Sequence, residues 1–516
     1  MKRMWLWSWA LAMTLTLGAA EPKTVTYEAF GAKGDGKTND HEAIRKAHEY
    51  ANEHDLPVRA SDRATYYIGE TTGPAIIRTD TDWGRAKFII DDTLPELKNF
   101  KLPIFRIAPT EEERPLKDVK PVKVGQKKFP QRLSGPALVI VYNENVKQFI
   151  RYGGNANNGT TQQDLFIVDK NGAIHPQTPV VWDFKEITQA VVCPIDTKPL
   201  KVSGGTFTTL ANKREGRHVY FGRGLTIARS NTTVEGVRHE VVEGGGIDSW
   251  PYTGFINVQR CAFVTIRDCW VTGRKLYSYP VPGATKRKTT GTYDISGGSA
   301  ACISFINVRQ INDIMDSDYW GVMGTNFCKA LLLENCRLSR FDAHQGVTNA
   351  TIRNTTVGYM GINAIGFGTF LLENTTSHSN RMVNFRADYG ATWRGDFILK
   401  NCTLAPQNSN TVNVFMGNCT PTHDFGYPCS MPEKIVIENL KIDLSKSKAK
   451  EKTVAIFGDL NPSNDNDGAP YPYAVTKTLV VDGISGVNSD KLLLSRNEKL
   501  FRNIAVTGRD AKRFKR

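Results

Sequence analysis

The sequence has no Cys-x-x-Cys pair and no cysteine–histidine spacing of the kind that holds zinc, which excludes a structural zinc site. Its nine cysteines are an odd number, so at least one lies outside any intrachain disulfide. Beyond the N-terminal segment there is no apolar run long enough to cross a bilayer. The glycines at 31, 34 and 36 follow the order G-x-x-G-x-G with no βαβ unit after them, which excludes a dinucleotide-binding turn. Acidic residues are outnumbered, 52 Asp and Glu against 66 Lys and Arg, for a formal charge of +14. An acidic polysaccharide, a nucleic acid or a membrane surface would meet that charge, as would a plain solvated basic surface.

What the chain does contain begins with a secretory signal pattern over residues 1–20. Lys2 and Arg3 precede an apolar run, and small residues 18–20 follow it. The expected destination is the cell exterior, the periplasm or the cell surface. Residues 21–100 read as an N-terminal cap with the first coils of a solenoid, and 101–205 as a β-rich insertion. Residues 206–508 read as the main body, and 509–516 as a frayed basic tail.

The solenoid reading rests on a repeat. Asn335, Asn354, Asn374 and Asn401 each end a short apolar strand, and they stand 19, 20 and 27 residues apart. A period near 20 is too short for helix pairs and fits one coil of a parallel β-helix. The asparagines are expected to stack inside the helix as a ladder. Cys269, Cys336 and Cys402 share one coil position and are expected to point inward as small apolar groups. Cys419 and Cys429 flank a loop and form the best disulfide candidate. Asp316, 19 residues before Asn335, is expected on the same ladder.

The segment "FGAKGDGKTND" (30–40), followed by an Ala-rich helix, resembles the entry segment of the pectin-lyase-like superfamily. The resemblance implies an all-β fold, a right-handed parallel β-helix whose N-terminal end is plugged by that helix. It leaves the chemistry open, because the superfamily spans hydrolases, lyases, epimerases and binders. The Asn-Thr-Asp, Gly-His-Gly and Arg-Ile-Lys motifs of polygalacturonases are missing, so their catalytic residues cannot be carried over.

The candidate site is therefore read from side chains. Asp342 and His344 stand two apart and share a strand face, as do Arg386 and Asp388. Asp342, His344 and Asp388 are the catalytic candidates. Asp342 and Asp388 would form an inverting carboxylate pair, with a gap of roughly 6.5–9.5 Å for water. Arg386, Tyr389, Trp393 and Asn363 are candidate substrate contacts, as are Asp248 with Trp250, and Lys286, Arg287 and Lys288 on a long basic loop. The expected activity is glycoside hydrolysis of an acidic polysaccharide, without a cofactor or metal. The alternatives are a lyase or C5-epimerase on uronate polymers using His344, Tyr389 and Arg386, with Ca²⁺ possible, or a noncatalytic glycan-binding helix. Neither nucleic acid nor a membrane span is expected.

Overall fold

The computed structural model describes residues 24–214, 219–242, 246–247, 250–279, 288–407, 409–448, 453–458, 460–461 and 466–514. The signal segment, Asp248, Lys286 and Arg287 lie outside these residues, as does the side chain of Lys288.

Thirty-five strands form one continuous sheet in which each coil pairs in parallel with the next. Strand Cys328–Glu334, for instance, pairs with Val347–Arg353, which pairs with Gly366–Glu373, then Asp396–Lys400. This is a parallel β-helix. Alternate residues point inward and stack on their equivalents in the next coil, as Phe370 does on Phe397 at 4.7 Å and 22°. Cys269, Cys336 and Cys402 are buried in that interior.

The asparagine ladder is real but lies on the outside, correcting the expectation. Asn335, Asn354, Asn374 and Asn401 adopt left-handed φ of 56°, 51°, 47° and 52°, and all four are exposed. The short polar side chain tolerates that conformation. The residue after each one, Cys336, Thr355, Thr375 or Cys402, turns inward instead. Each turn passes its backbone N–H to the next coil, as Asn354 does to the Glu373 carbonyl at 3.0 Å. Side chains link some rungs, with Asn374 donating to Asn354 at 3.1 Å and Asn439 to Asn401 at 3.0 Å. The rung before Asn335 is Asn307, whose N–H bonds the Glu334 carbonyl, and not Asp316, which is exposed in a loop.

The helix His41–His54 closes the N-terminal end, burying His41, Ile44, Ala47, His48 and Ala51. At the other end the chain does not fray as expected. Helix Glu498–Phe501 stacks Phe501 on Phe457 at 4.6 Å, Phe514 is buried, and Arg513 donates to the Val487 carbonyl at 2.6 Å. Both open sheet ends are thus covered, which removes unpaired strand edges.

The insertion leaves after strand Phe105–Ile107, and the coils resume at Leu200–Ser203. It is a four-stranded antiparallel sheet led by Ala137–Gln148 and Thr160–Val168. Its sheet covers the middle coils, while its flanks bond to the first ones, Glu112 accepting from Arg106 at 2.8 Å and Lys198 donating to Asp55 at 3.1 Å. Leu138, Ile140, Leu165 and Ile167 pack with Ala262 and Ala301, and a second cluster continues onto Phe367, Tyr389 and Phe425. A buried ion pair, Lys329 with Asp164 at 2.5 Å, fastens it. All nine cysteines are free, so the expected Cys419–Cys429 disulfide is not formed.

Candidate functional site

Strand Arg337–Ala343 presents Asp342 in register with Gly324 on the coil before and Asn363 on the coil after, and Asn363 pairs with Asn384. Two residues past Asn384 the chain leaves strand Arg381–Phe385 and makes a short turn, Ala387–Tyr389. That turn brings Arg386 and Asp388 back over Asp342, so Asp342, His344, Arg386 and Asp388 come together as the coil period implies.

The geometry inside the cluster differs from an acid/base pair. The Arg386 guanidinium lies between the two carboxylates. Its Nη1 donates to both oxygens of Asp342 at 2.7 and 2.9 Å, while Nη2 and Nε donate to Asp388 at 2.8 and 3.1 Å. The space expected to hold a water is filled by a cation. Arg340 Nη2 adds a bond to Asp342 at 3.0 Å, and the Tyr293 hydroxyl adds a further one. Trp320 Nε1 donates to that hydroxyl at 3.2 Å, and its ring lies 4.3 Å from the Arg340 guanidinium. Asp342 is completely enclosed, so it cannot touch a ligand; its assignment as a catalytic group is corrected to one that positions Arg386 and Arg340.

Arg151, from the insertion, closes the cluster at its outer edge. It donates to Asp388 through Nε at 2.7 Å, with Nη2 at 2.6 Å. Arg151 and Asp388 keep 20% and 24% of their side-chain exposure, and His344 is half-buried beside them. These three groups form the accessible edge of the site.

The electrostatics follow from three arginines around two carboxylates. Burial would raise the Asp342 carboxyl, but Arg340 and Arg386 outweigh it and hold it well below the usual carboxylate range. Asp388 is lowered in the same way, burial being outweighed by Arg386 and Arg151. Both acids are ionised at neutral pH. His344 moves down to about 4, first through burial and then through the Arg386 charge, so it is neutral. Its Nδ1 lies 3.0 Å from the Asn326 side-chain oxygen; in the tautomer that donates to this oxygen, the lone pair is on Nε2.

Other expected contacts fall elsewhere. Trp393 is fully buried, 5.1 Å from Phe370 in the interior stack, with Nε1 donating to the Gly368 carbonyl, so it offers no sugar platform. Tyr389 is buried too, with Arg386 and Arg151 5.4 and 5.3 Å from its ring and His344 edge-on at 5.5 Å. Asn363 is buried and accepts from Asn384 at 2.6 Å. Trp250 packs 5.7 Å from Phe100 and 5.5 Å from the Arg214 guanidinium, in a separate apolar cluster. Sequence reasoning missed Arg340, Tyr293, Trp320 and Arg151. Arg340 was findable, since it extends the Asp342/His344 alternation by one step. Among the described residues no group of three or more His, Cys, Asp or Glu is placed to hold a metal ion. Within the cluster, Asp342 and Asp388 accept from arginines.

No known protein family matches the sequence, and no curated protein does. Solved structures do resemble the fold. The tailspike of Acinetobacter baumannii bacteriophage AP22, solved with capsular saccharide, aligns over 94% of this chain and 79% of its own at 11% identity and a TM-score of 0.49. A mannuronan C-5 epimerase module from Azotobacter vinelandii aligns over 94% and 97% at 10% identity and 0.37. An exopolygalacturonase from Thermotoga maritima aligns over 81% and 87% at 10% identity and 0.34. Likenesses of this degree say nothing about this chain's chemistry. No helix among the described residues is long and apolar enough to cross a membrane.

Proposed function

We propose that the protein is an exported carbohydrate-active enzyme that handles an acidic polysaccharide at the edge formed by Arg151, His344 and Asp388. The observation that carries this reading is the Arg386 bridge. With both carboxylates tied to guanidinium groups and held ionised, neither can serve as the general acid that glycoside hydrolysis requires. A neutral imidazole beside an arginine suits removal of the acidic C5 proton of a uronate instead.

In this reading Arg151 faces the sugar carboxylate and stabilises the negative charge that develops as the proton leaves. His344 Nε2 takes the C5 proton. Either the electron pair forms a C4–C5 double bond and expels the C4 oxygen, which water protonates, or a proton returns from the opposite face. The first outcome is a lyase and the second a C5-epimerase. The test is incubation with polygalacturonate and with alginate. Ultraviolet absorbance of an unsaturated product, or solvent deuterium at C5, is expected. New reducing ends without either signal would restore hydrolysis, and an unchanged polymer would leave a binder.

A further inference from the structure

On another facet of the helix each coil turns a corner through three residues: one left-handed, one pointing in and one pointing out. Successive triplets are Gly236-Val237-Arg238, Asp268-Cys269-Trp270, Asn307-Val308-Arg309 and Asn335-Cys336-Arg337. The register sets the third members side by side, Arg238 against Trp270, Trp270 against Arg309, and Arg309 against Arg337. The result is a single file of cation, ring, cation and cation, one per coil at about 4.8 Å.

All four reach solvent. Trp270 is 44% exposed on an open sheet face, an unusual place for an indole, and the Arg238 side chain is 42% exposed. The Arg309 guanidinium lies 5.8 Å from the Trp270 ring and is oriented by the Asn307 side-chain oxygen at 2.9 Å. The charges of the neighbouring outward file are compensated, Glu334 by Arg353 of the same file at 3.0 Å, Glu235 by Lys201 at 2.6 Å and Arg267 by Asp268 at 2.9 Å. In the Arg/Trp file, Arg309 and Arg337 make no ion pair among the described residues, and Arg238 has only Glu240 at 3.8 Å. Uncompensated positive charge in a straight line beside an exposed ring calls for a linear anion with a flat apolar face.

We propose that this file is a docking track for a linear anionic polysaccharide, separate from the Arg151/His344/Asp388 edge. A pyranose ring stacks on Trp270 while acidic groups on neighbouring sugars meet Arg238, Arg309 and Arg337. One sugar per coil keeps polymer and solenoid in step. Phosphates of a duplex strand, about 3.4 Å apart along the axis, fall out of step with it. Strand Arg337–Ala343 spans both facets, its start pairing with Arg309 and its end with Met323–Thr325, so the last rung of the track and Asp342 share a coil but lie on different facets. The track takes the polymer class of the proposed function but needs none of its chemistry.

The test is binding of polygalacturonate and of alginate by calorimetry at several salt concentrations. The variants are Arg309→Ala with Arg337→Ala together, Trp270→Ala alone, and His344→Gln, each checked by thermal melting. The double arginine variant should bind about tenfold or more weakly, equivalent to about 1.4 kcal/mol or more, with a flatter salt dependence. Trp270→Ala should weaken binding at every salt concentration, while His344→Gln should lose turnover and keep this binding. Unchanged affinity in the arginine and tryptophan variants overturns the track. So does a loss confined to the arginines, or a single-stranded oligonucleotide that competes equally, because either reduces the file to unspecific charge. Turnover that survives in His344→Gln counts against the proposed reaction alone.

Discussion

Two clusters in this molecule are built from the same side chains, an aspartate, a histidine and arginine, and they do opposite things. In the first, Asp294 accepts from His239 Nδ1 at 2.8 Å and from Arg274 at 2.9 Å, while His239 Nε2 meets the Thr209 hydroxyl at 3.0 Å. On paper this Asp–His–Thr line looks like a nucleophile and its base. Yet Asp294 and His239 are wholly enclosed, and the imidazole lies flat on Phe255 at 3.9 Å and 5°. No substrate can reach it, and its bonds are spent on holding the interior together. In the second cluster Asp342 is equally enclosed, but its network continues through Arg386 to Asp388 and Arg151, which reach solvent. The residue types are shared; the difference is whether the chain of bonds ends inside or at an edge. Geometry of a catalytic type therefore means little without access.

The largest effect that would break this contrast is on stability. Asp294→Asn leaves the buried Arg274 charge without its anion and should cost about 3–5 kcal/mol, read as a drop in denaturant midpoint. The matching change at the outer edge, Asp388→Asn, should cost clearly less because that carboxylate is partly solvated. Equal losses would erase the distinction. Next comes activity. His344→Gln should lower turnover by about 10²–10⁴-fold while the melting temperature stays near that of the parent protein.

A smaller effect concerns acid. Both histidines titrate lower in the fold than in the unfolded chain, with His344 moving from 6.5 to about 4 and His239 also lowered, each mainly through burial. The unfolded chain takes up protons that the native protein refuses. Stability is therefore full above pH 6.5 and falls as the pH drops toward 4. His344→Gln should flatten part of that slope, measured as melting temperature against pH. The smallest effect serves as a baseline outside both clusters. Asn354→Gly keeps the left-handed turn and should change stability by no more than about 0.5 kcal/mol, whereas Asn354→Leu should cost about 1–2 kcal/mol.

How much of this was legible in the sequence depended on range. The asparagine period gave away the coil because the corner repeats a left-handed position that asparagine fills at 307, 335, 354, 374 and 401. It could not say which side those residues face, since a period sets spacing and not direction; the inward position belongs to the cysteine or threonine that follows. Asp342 and His344 were found because residues two apart share a strand face, whereas Arg386 and Asp388, read by the same rule, stand on a turn past the end of strand Arg381–Phe385 that folds them back over Asp342. Arg151 was invisible, as it reaches Asp388 across 237 positions from an insertion whose docking place no local pattern records. Trp393 was misjudged because an aromatic beside charged residues reads alike whether it faces solvent or, as here, completes the interior stack.

The insertion has a mechanical consequence. A stack of coils joined only to their neighbours can come apart one rung at a time, like a zip. Here a second sheet bears on Ala262 and Ala301 at one end and on Tyr389 and Phe425 at the other, and the Lys329–Asp164 pair pins it between them. It acts as a splint across a bone. Peeling that starts at either lid must stop where the splint begins, because the next rung cannot lift without carrying the whole splinted length with it. The edge formed by Arg151, His344 and Asp388 sits within that length, on the part of the molecule last to yield.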